Sequence, residues 1–339
     1  MTLRWQGLHD GALLIDGLIF YCDGDISALR EGNVAAANIT VSGFNADFEQ
    51  ACDDVAAWLA RCEAPGAPWL IINTVEDIRR ARDLGRIGLI MGWQNMRPIG
   101  DRLDRVRFFR RLGIRVMQLT YNERNFIANG CLEPNDDGLS SFGRDAMAEL
   151  NSCGIAIDLS HVGHVSALEA VERSTAPVLL THANAKAVSD VPRNKSDALM
   201  KSVAEHGGII GLSVYGPMCW SGETDQRPTL EDFYRHLEHV ARLVGTRHIA
   251  LGTDFPAVAD LDSVRAIIEM TLTRYPAAIS RYAKVFGNDV RTRYLSDCES
   301  HRDLRNITRL LVEKGWGDDD IRAFLGENYL RVLKEIWEA

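Results

Sequence analysis

The sequence lacks most of the features that would place a 339-residue chain at once. It has no apolar run of the roughly 18 residues a membrane helix needs, so no transmembrane segment is expected. Its amino terminus, MTLRWQGLHDG, has no apolar core of signal-peptide length. The seven cysteines (22, 52, 62, 131, 153, 219 and 298) are odd in number and irregular in spacing, with no CxxC. Without an export signal, that pattern predicts reduced thiols and a cytoplasmic protein. Basic charge is short: 38 Lys and Arg against 47 Asp and Glu give a net charge of -9. This argues against nucleic acid as a partner, and the densest basic patch, RFFRRL at 107–112, fits one face of a helix instead. No GxGxxG opens a helix after a strand, which removes the usual dinucleotide site. No G-x-S-x-G and no Ser-His-Asp order support a serine hydrolase. No Gly/Pro/Ser-rich linker or repeat divides the chain, so a single domain is expected over 1–339.

What the chain does have is alternation. Short aliphatic runs recur at 11–19, 34–43, 69–75, 87–93, 113–121, 154–161, 177–184, 208–215 and 248–255, separated by amphipathic segments such as DRLDRVRFFRRL and LEDFYRHLEHVARLVG. Near-continuous apolar strands imply burial on both faces, as in a parallel sheet covered by helices. Seven to nine such units predict a TIM-type (β/α)8 barrel. The segment 301–339 reads as a helical extension packed outside it, with DDD at 318–320 supplying an acidic first turn. Leu325, Tyr329, Leu330, Leu333 and Ile336 form its apolar face.

In a barrel the carboxyl ends of the strands carry the site. Collected in order, these are Asp16, Gln94, Tyr121, His161, His182 and Asp254. Imidazoles on two neighbouring strand ends suit a borderline metal such as zinc. An aspartate on a third can orient metal-bound water, take its proton or ligate. The competing reading is a satisfied polar network at the barrel mouth. Asp16 fits a strand-end acid or a turn cap before glycine equally well. Arg193, on a loop eleven residues beyond His182, either grips a substrate carboxylate bidentately or is a solvated loop arginine.

These residues resemble a known family. IDLSHVG, LLTHANAKAVSDVPRN and HIALGTDF are similar to segments of the membrane (renal-type) dipeptidases, the M19 metallopeptidases. LREGNVAAANITV and the closing NYLRVLKEIW extend the likeness through nearly the whole chain. The resemblance implies a modified TIM barrel, usually a homo-oligomer, with two zinc ions bridged by a glutamate and dipeptides as substrates. It implies that His161 and His182 ligate the second zinc, that Asp254 handles the proton of the catalytic water, and that Arg193 binds the substrate carboxylate. Asn184 stands with Arg193 as a substrate-binding candidate. The pattern breaks at the first zinc: where the family has DGHND this chain has DGLIF, so Leu18 and Phe20 replace two ligands. The bridging glutamate falls on Gln94 and a histidine that contacts the tetrahedral intermediate falls on Tyr121.

The expectation is therefore a divergent hydrolase cleaving an amide-type C–N bond in a small carboxylate-bearing substrate, with at most one divalent metal. His161, His182 and Gln94 would hold that metal, Asp254 and Tyr121 would be catalytic, and Tyr121 would also touch substrate. Cys22, Asp23 and Asp25 in YCDGD are weaker candidates for the vacated position. The alternatives are a metal-free lyase, isomerase or decarboxylase acting on a small acid, and a non-catalytic binding protein. No membrane partner is expected.

Overall fold

Ten strands form one sheet in the computed structural model, which describes residues 3–338. They are β1 (Leu14–Phe20), β2 (Val34–Thr40), β3 (Trp69–Ile71), β4 (Ile87–Trp93), β5 (Ile114–Gln118), β6 (Ala156–Asp158), β7 (Leu179–Leu180), β8 (Ile209–Leu212), β9 (Ile249–Leu251) and β10 (Phe255–Pro256). Every pairing is parallel. The path runs β10-β1-β2-β4-β5-β6-β7-β8-β9, with β3 beside β4.

The aliphatic strands are buried on both faces, as their composition requires. All seven residues of β4 are buried. One set of alternate positions, including Leu89, Met117, Ile157 and Ile210, meets helix residues such as Val55, Met147 and Val203. The other set, including Ile15, Ala36, Ile90, Val116, Leu179 and Ala250, converges on the inside of the curl.

The closed eight-stranded TIM barrel expected from the alternation is not what forms. The sheet is curled but open: its ladder ends on β9 at one side and β10 at the other, and no ladder joins β9 to β1. The physical reason lies in Gly252, Thr253 and Asp254, the three residues between those strands. Asp254 has φ of 61°, outside the extended region, and the Thr253 amide donates to the Asp16 carboxylate rather than to a strand. Shortness contributes as well, since β7 is two residues long and matches β6 at a single position.

The C-terminal segment also departs from expectation. Asp318, Asp319 and Asp320 do open a helix, Asp318–Arg322. The last helix, Asn328–Trp337, does not lie outside the sheet but plugs the inside of its curl. The Tyr329 hydroxyl donates to the Thr181 carbonyl at 3.3 Å. Gly17 and Gly211 leave the room: a Cβ on them would lie 1.9 and 2.7 Å from that hydroxyl. With one end of the curl filled this way, the site is left to the other. Among the described residues no helix is long and apolar enough to cross a membrane. The seven cysteines stand unpaired.

Candidate functional site

A cavity of about 550 Å³ opens beyond the carboxyl ends of the strands. Gln94, Tyr121, Asn122, His161, Arg193 and Asp254 are among its polar lining residues. Gln94 follows β4 directly, Tyr121 lies three residues past β5, His161 three past β6 and Asp254 three past β9. Strands too short to run into the cavity thus hand their last residues over to it as loops.

Asp254 is held in a left-handed conformation that costs a non-glycine residue energy and persists only where surroundings enforce it. The enforcement is visible. Asp16, fully buried in β1, accepts from the Thr253 amide (2.8 Å) and hydroxyl (2.6 Å) and pairs with His301 Nε2 at 3.0 Å. The Phe255 amide donates to Thr253 Oγ1, the Asp254 amide to the Leu18 carbonyl, and the Tyr294 hydroxyl to the Asp254 carbonyl. The backbone on both sides of Asp254 is clamped while its carboxylate faces the cavity. Burial pushes the Asp254 pKa up to about 7, opposed by the Arg193 guanidinium and reinforced by the Asp16 charge. A carboxyl group that titrates near neutrality in a cleft is suited to proton transfer.

The two histidines face one another, with His161 Nε2 and His182 Nε2 2.9 Å apart. Their other nitrogens are spoken for. His161 Nδ1 meets Asn122 Oδ1 at 2.7 Å, and His182 Nδ1 meets Thr181 Oγ1 at 2.8 Å. The Thr181 hydroxyl donates to Asp158 Oδ2, so it accepts from His182. With both Nδ1 atoms donating, both Nε2 atoms present lone pairs to the same point. A proton is a poor occupant of that point, because burial holds both imidazoles well below their ordinary pKa, and Arg193 and Lys195 press in the same direction.

Comparison with known proteins decides the family. The model of the membrane dipeptidase family, peptidase family M19, matches residues 25–278. The chain belongs to the membrane dipeptidase family. The chain is similar to dipeptidase tcpJ of Claviceps purpurea, 26% identical over 267 residues, covering 78% of this chain and 54% of that one. Among solved structures it is similar to an amidohydrolase from Pseudomonas aeruginosa, 29% identical with a TM-score of 0.87, covering 99% of this chain and all of that one. A metallo peptidase from Rhodobacter sphaeroides, solved with a phosphinate mimic of the dipeptide L-Ala-D-Ala, shares the fold at 19% identity and a TM-score of 0.77, over 96% and 99% of the two chains. The chain spans about half the length of the curated relatives it matches, such as tcpJ.

As an M19 member the chain is incomplete. Leu18 is buried and Phe20 lines the cavity, and neither can donate to a metal. The expected metal-binding cluster is also corrected: among the described residues no group of three or more His, Cys, Asp and Glu could hold an ion. Gln94 brings no charge, and its amide nitrogen is committed to Thr40 Oγ1 at 2.9 Å. A binuclear centre does not fit these residues. The converging lone pairs of His161 and His182 do fit one divalent ion, and Asn122, Thr181 and Asp158 orient the two rings as partners behind metal-ligating histidines do.

Of the other residues expected at the site, Arg193, Tyr121, Cys22 and Asp23 line the cavity, and Asn184 and Asp25 do not. Arg193 donates to the carbonyls of Ser160 and His182 and has no carboxylate partner among the described residues, although it lines the cavity. Tyr121 lies stacked between Phe44 (4.5 Å) and His161 (4.1 Å), and burial drives its pKa far up, so its hydroxyl stays protonated. Asn184 lies outside the cavity lining, tying the Ser213 amide and carbonyl together at 2.9 Å each. Asp25 is exposed and caps Ser27, and Asp23 pairs with Arg61 at the cavity wall. Cys22 does reach the cavity, yet burial raises its thiol pKa so far that no thiolate forms near neutrality. Sequence reasoning missed Asn122, His301 and Lys195. Lys195 is buried, with Nζ on the Val162 carbonyl at 2.6 Å, and burial lowers its pKa to about 8.

Proposed function

We propose that the protein hydrolyses an amide-type C–N bond in a small substrate bearing a carboxylate. The observation that carries this reading is Asp254, a clamped carboxyl group poised near neutral pH in the cavity that also holds Arg193. Arg193 anchors the substrate carboxylate through a charge-assisted contact. Asp254 then takes a proton from the attacking water and returns it to the leaving nitrogen. Tyr121, neutral at every working pH, donates its hydroxyl proton as a hydrogen bond to the oxygen that develops charge.

His161 and His182 would hold one divalent ion, zinc being suited to imidazole donors, and when bound it supplies Lewis acidity to the carbonyl and water. The homo-oligomer and cytoplasmic location expected from the sequence belong to the same proposal, and analytical ultracentrifugation and cell fractionation read them.

The test is turnover in ¹⁸O-labelled water. Hydrolysis places the label in the new carboxylate and adds one water across the substrate. Products without label would show a non-hydrolytic enzyme instead. Binding without any turnover, unchanged in Asp254→Asn, would make the protein a binder.

A further inference from the structure

The cavity is much larger than its polar lining, and the surplus is apolar. Phe20, Phe44 and Trp58 line it, together with Ile268 and Leu272 of the helix Arg265–Arg274. Ile268 and Leu272 are the buried residues of a helix whose other positions are half-buried or exposed. The volume lies within the range of roughly 300–1,000 Å³ that suits small organic ligands. Phe20 brings the apolar surface down to the point where the family resemblance placed an aspartate.

Charge bears on the same question. A free dipeptide carries an ammonium group, which needs an unpaired acid. Three carboxylates line the cavity, Asp23, Asp54 and Asp254. Asp23 is paired with Arg61, and Asp54 accepts from the Ser42 hydroxyl (2.7 Å) and the Gln50 amide (2.9 Å). Asp54 carries no cationic partner, but both its oxygens are already engaged. Asp254 alone of the three has a carboxylate with no hydrogen-bond or ion-pair partner among the described residues, and the hydrolase reading uses it for proton transfer. A nitrogen that is already acylated carries no charge and makes no such demand.

Resting on that hydrolase reading, we infer that the substrate is an N-acyl amino acid with a large apolar acyl group, lying between Phe20, Phe44, Trp58, Ile268 and Leu272 with its carboxylate at Arg193. Water adds its oxygen to the acyl carbon, the C–N bond breaks, and the nitrogen leaves with the proton Asp254 carried. The products are an apolar carboxylic acid and a free amino acid.

The test is a series of N-acyl glycines (acetyl, butanoyl, hexanoyl, octanoyl and benzoyl) beside the dipeptide Ala-Ala. For wild type, kcat/KM should rise about fourfold per methylene while the chain stays within the cavity. Leu272→Ser and Ile268→Ser should flatten that rise. Calorimetry of the same series on Asp254→Asn separates the two ideas. Binding that tightens with chain length, with no wild-type hydrolysis, supports the apolar site and sinks the hydrolase reading. Hydrolysis of Ala-Ala ahead of every acyl glycine, a flat series, or no binding of any member overturns the inference.

Discussion

At the scale of single residues, the pKa of Asp254 links stability to function. Its folded pKa, about 7, lies above the 3.8 of an ordinary aspartate. The folded state therefore prefers the protonated form, and the cost of ionising it in place accrues as pH rises from about 4 and is complete above about 7. Asp254→Asn removes that cost. The variant should be more stable than wild type by about 1–3 kcal/mol at pH 8 and nearly equal to it at pH 4, in denaturant titrations at both values. Turnover should fall by roughly a hundredfold to ten-thousandfold, the contribution of a positioned acid or base. Equal stability at both pH values would mean that the carboxylate is not strained by burial. Asp16 acts one step removed. Asp16→Asn loosens the clamp on Thr253 and also deletes a charge that holds the Asp254 pKa up. It should lower kcat on the order of tenfold to a hundredfold with KM little changed, and move the acidic limb of the rate profile to lower pH. A purely structural Asp16 would lower activity without moving that limb.

At the scale of elements, the sequence was legible wherever the physics is local. The run at 87–93 is β4 to the residue, because aliphatic side chains on both faces leave no other place for it. The run at 177–184 yields only Leu179–Leu180, since the backbone amides of Thr181 and His182 donate to the Asp158 and Ser160 side chains instead of continuing a ladder. The last helix shows the limit of periodicity most clearly. Its apolar stripe announced a buried face but not the surface that would bury it, and that surface turned out to be the inside of the sheet. Likewise Asp16 and His301 are 285 positions apart, a pairing no local pattern reveals. His161, His182 and Asp254 were readable because each follows an aliphatic run, and the family resemblance added only their implied roles, whereas Lys195 and Asn122 carried no motif. The plug has a measurable consequence. Tyr329→Ala removes the side chain that fills the space above Gly17 and Gly211, and it should cost about 3–5 kcal/mol, as large-to-small changes of buried aromatics do. Tyr329→Phe keeps the volume and gives up only the bond to Thr181, so about 1 kcal/mol is expected. Similar losses for both variants would show that the hydroxyl, not the filling, matters.

At the scale of the whole molecule, the thin joint between β6 and β7 and the two histidines bear on one another. β6 and β7 meet at a single residue pair, so the sheet is held there largely by the Asp158–Thr181–Ser160 network and whatever joins His161 to His182. An ion bound between those imidazoles in the folded chain and nowhere in the unfolded one stabilises the entire protein by mass action, about 2.7 kcal/mol at a hundredfold excess over its Kd. Two neutral ligands give a modest affinity, so the effect should appear at micromolar rather than trace metal. Zinc titrated into chelator-treated protein is therefore expected to raise Tm by a few degrees, and EDTA to reverse the rise. His161→Ala should abolish the response while leaving the apo protein folded, because Asn122 retains its contact with Cys131. The response should survive down to mildly acidic pH, since both imidazoles resist protonation in the field of Arg193 and Lys195. A zinc-induced shift of the same size in His161→Ala would place the ion elsewhere. No shift in wild type would leave the two lone pairs facing each other without a cation, and the proton chemistry of Asp254 and Tyr121 would then have to serve alone.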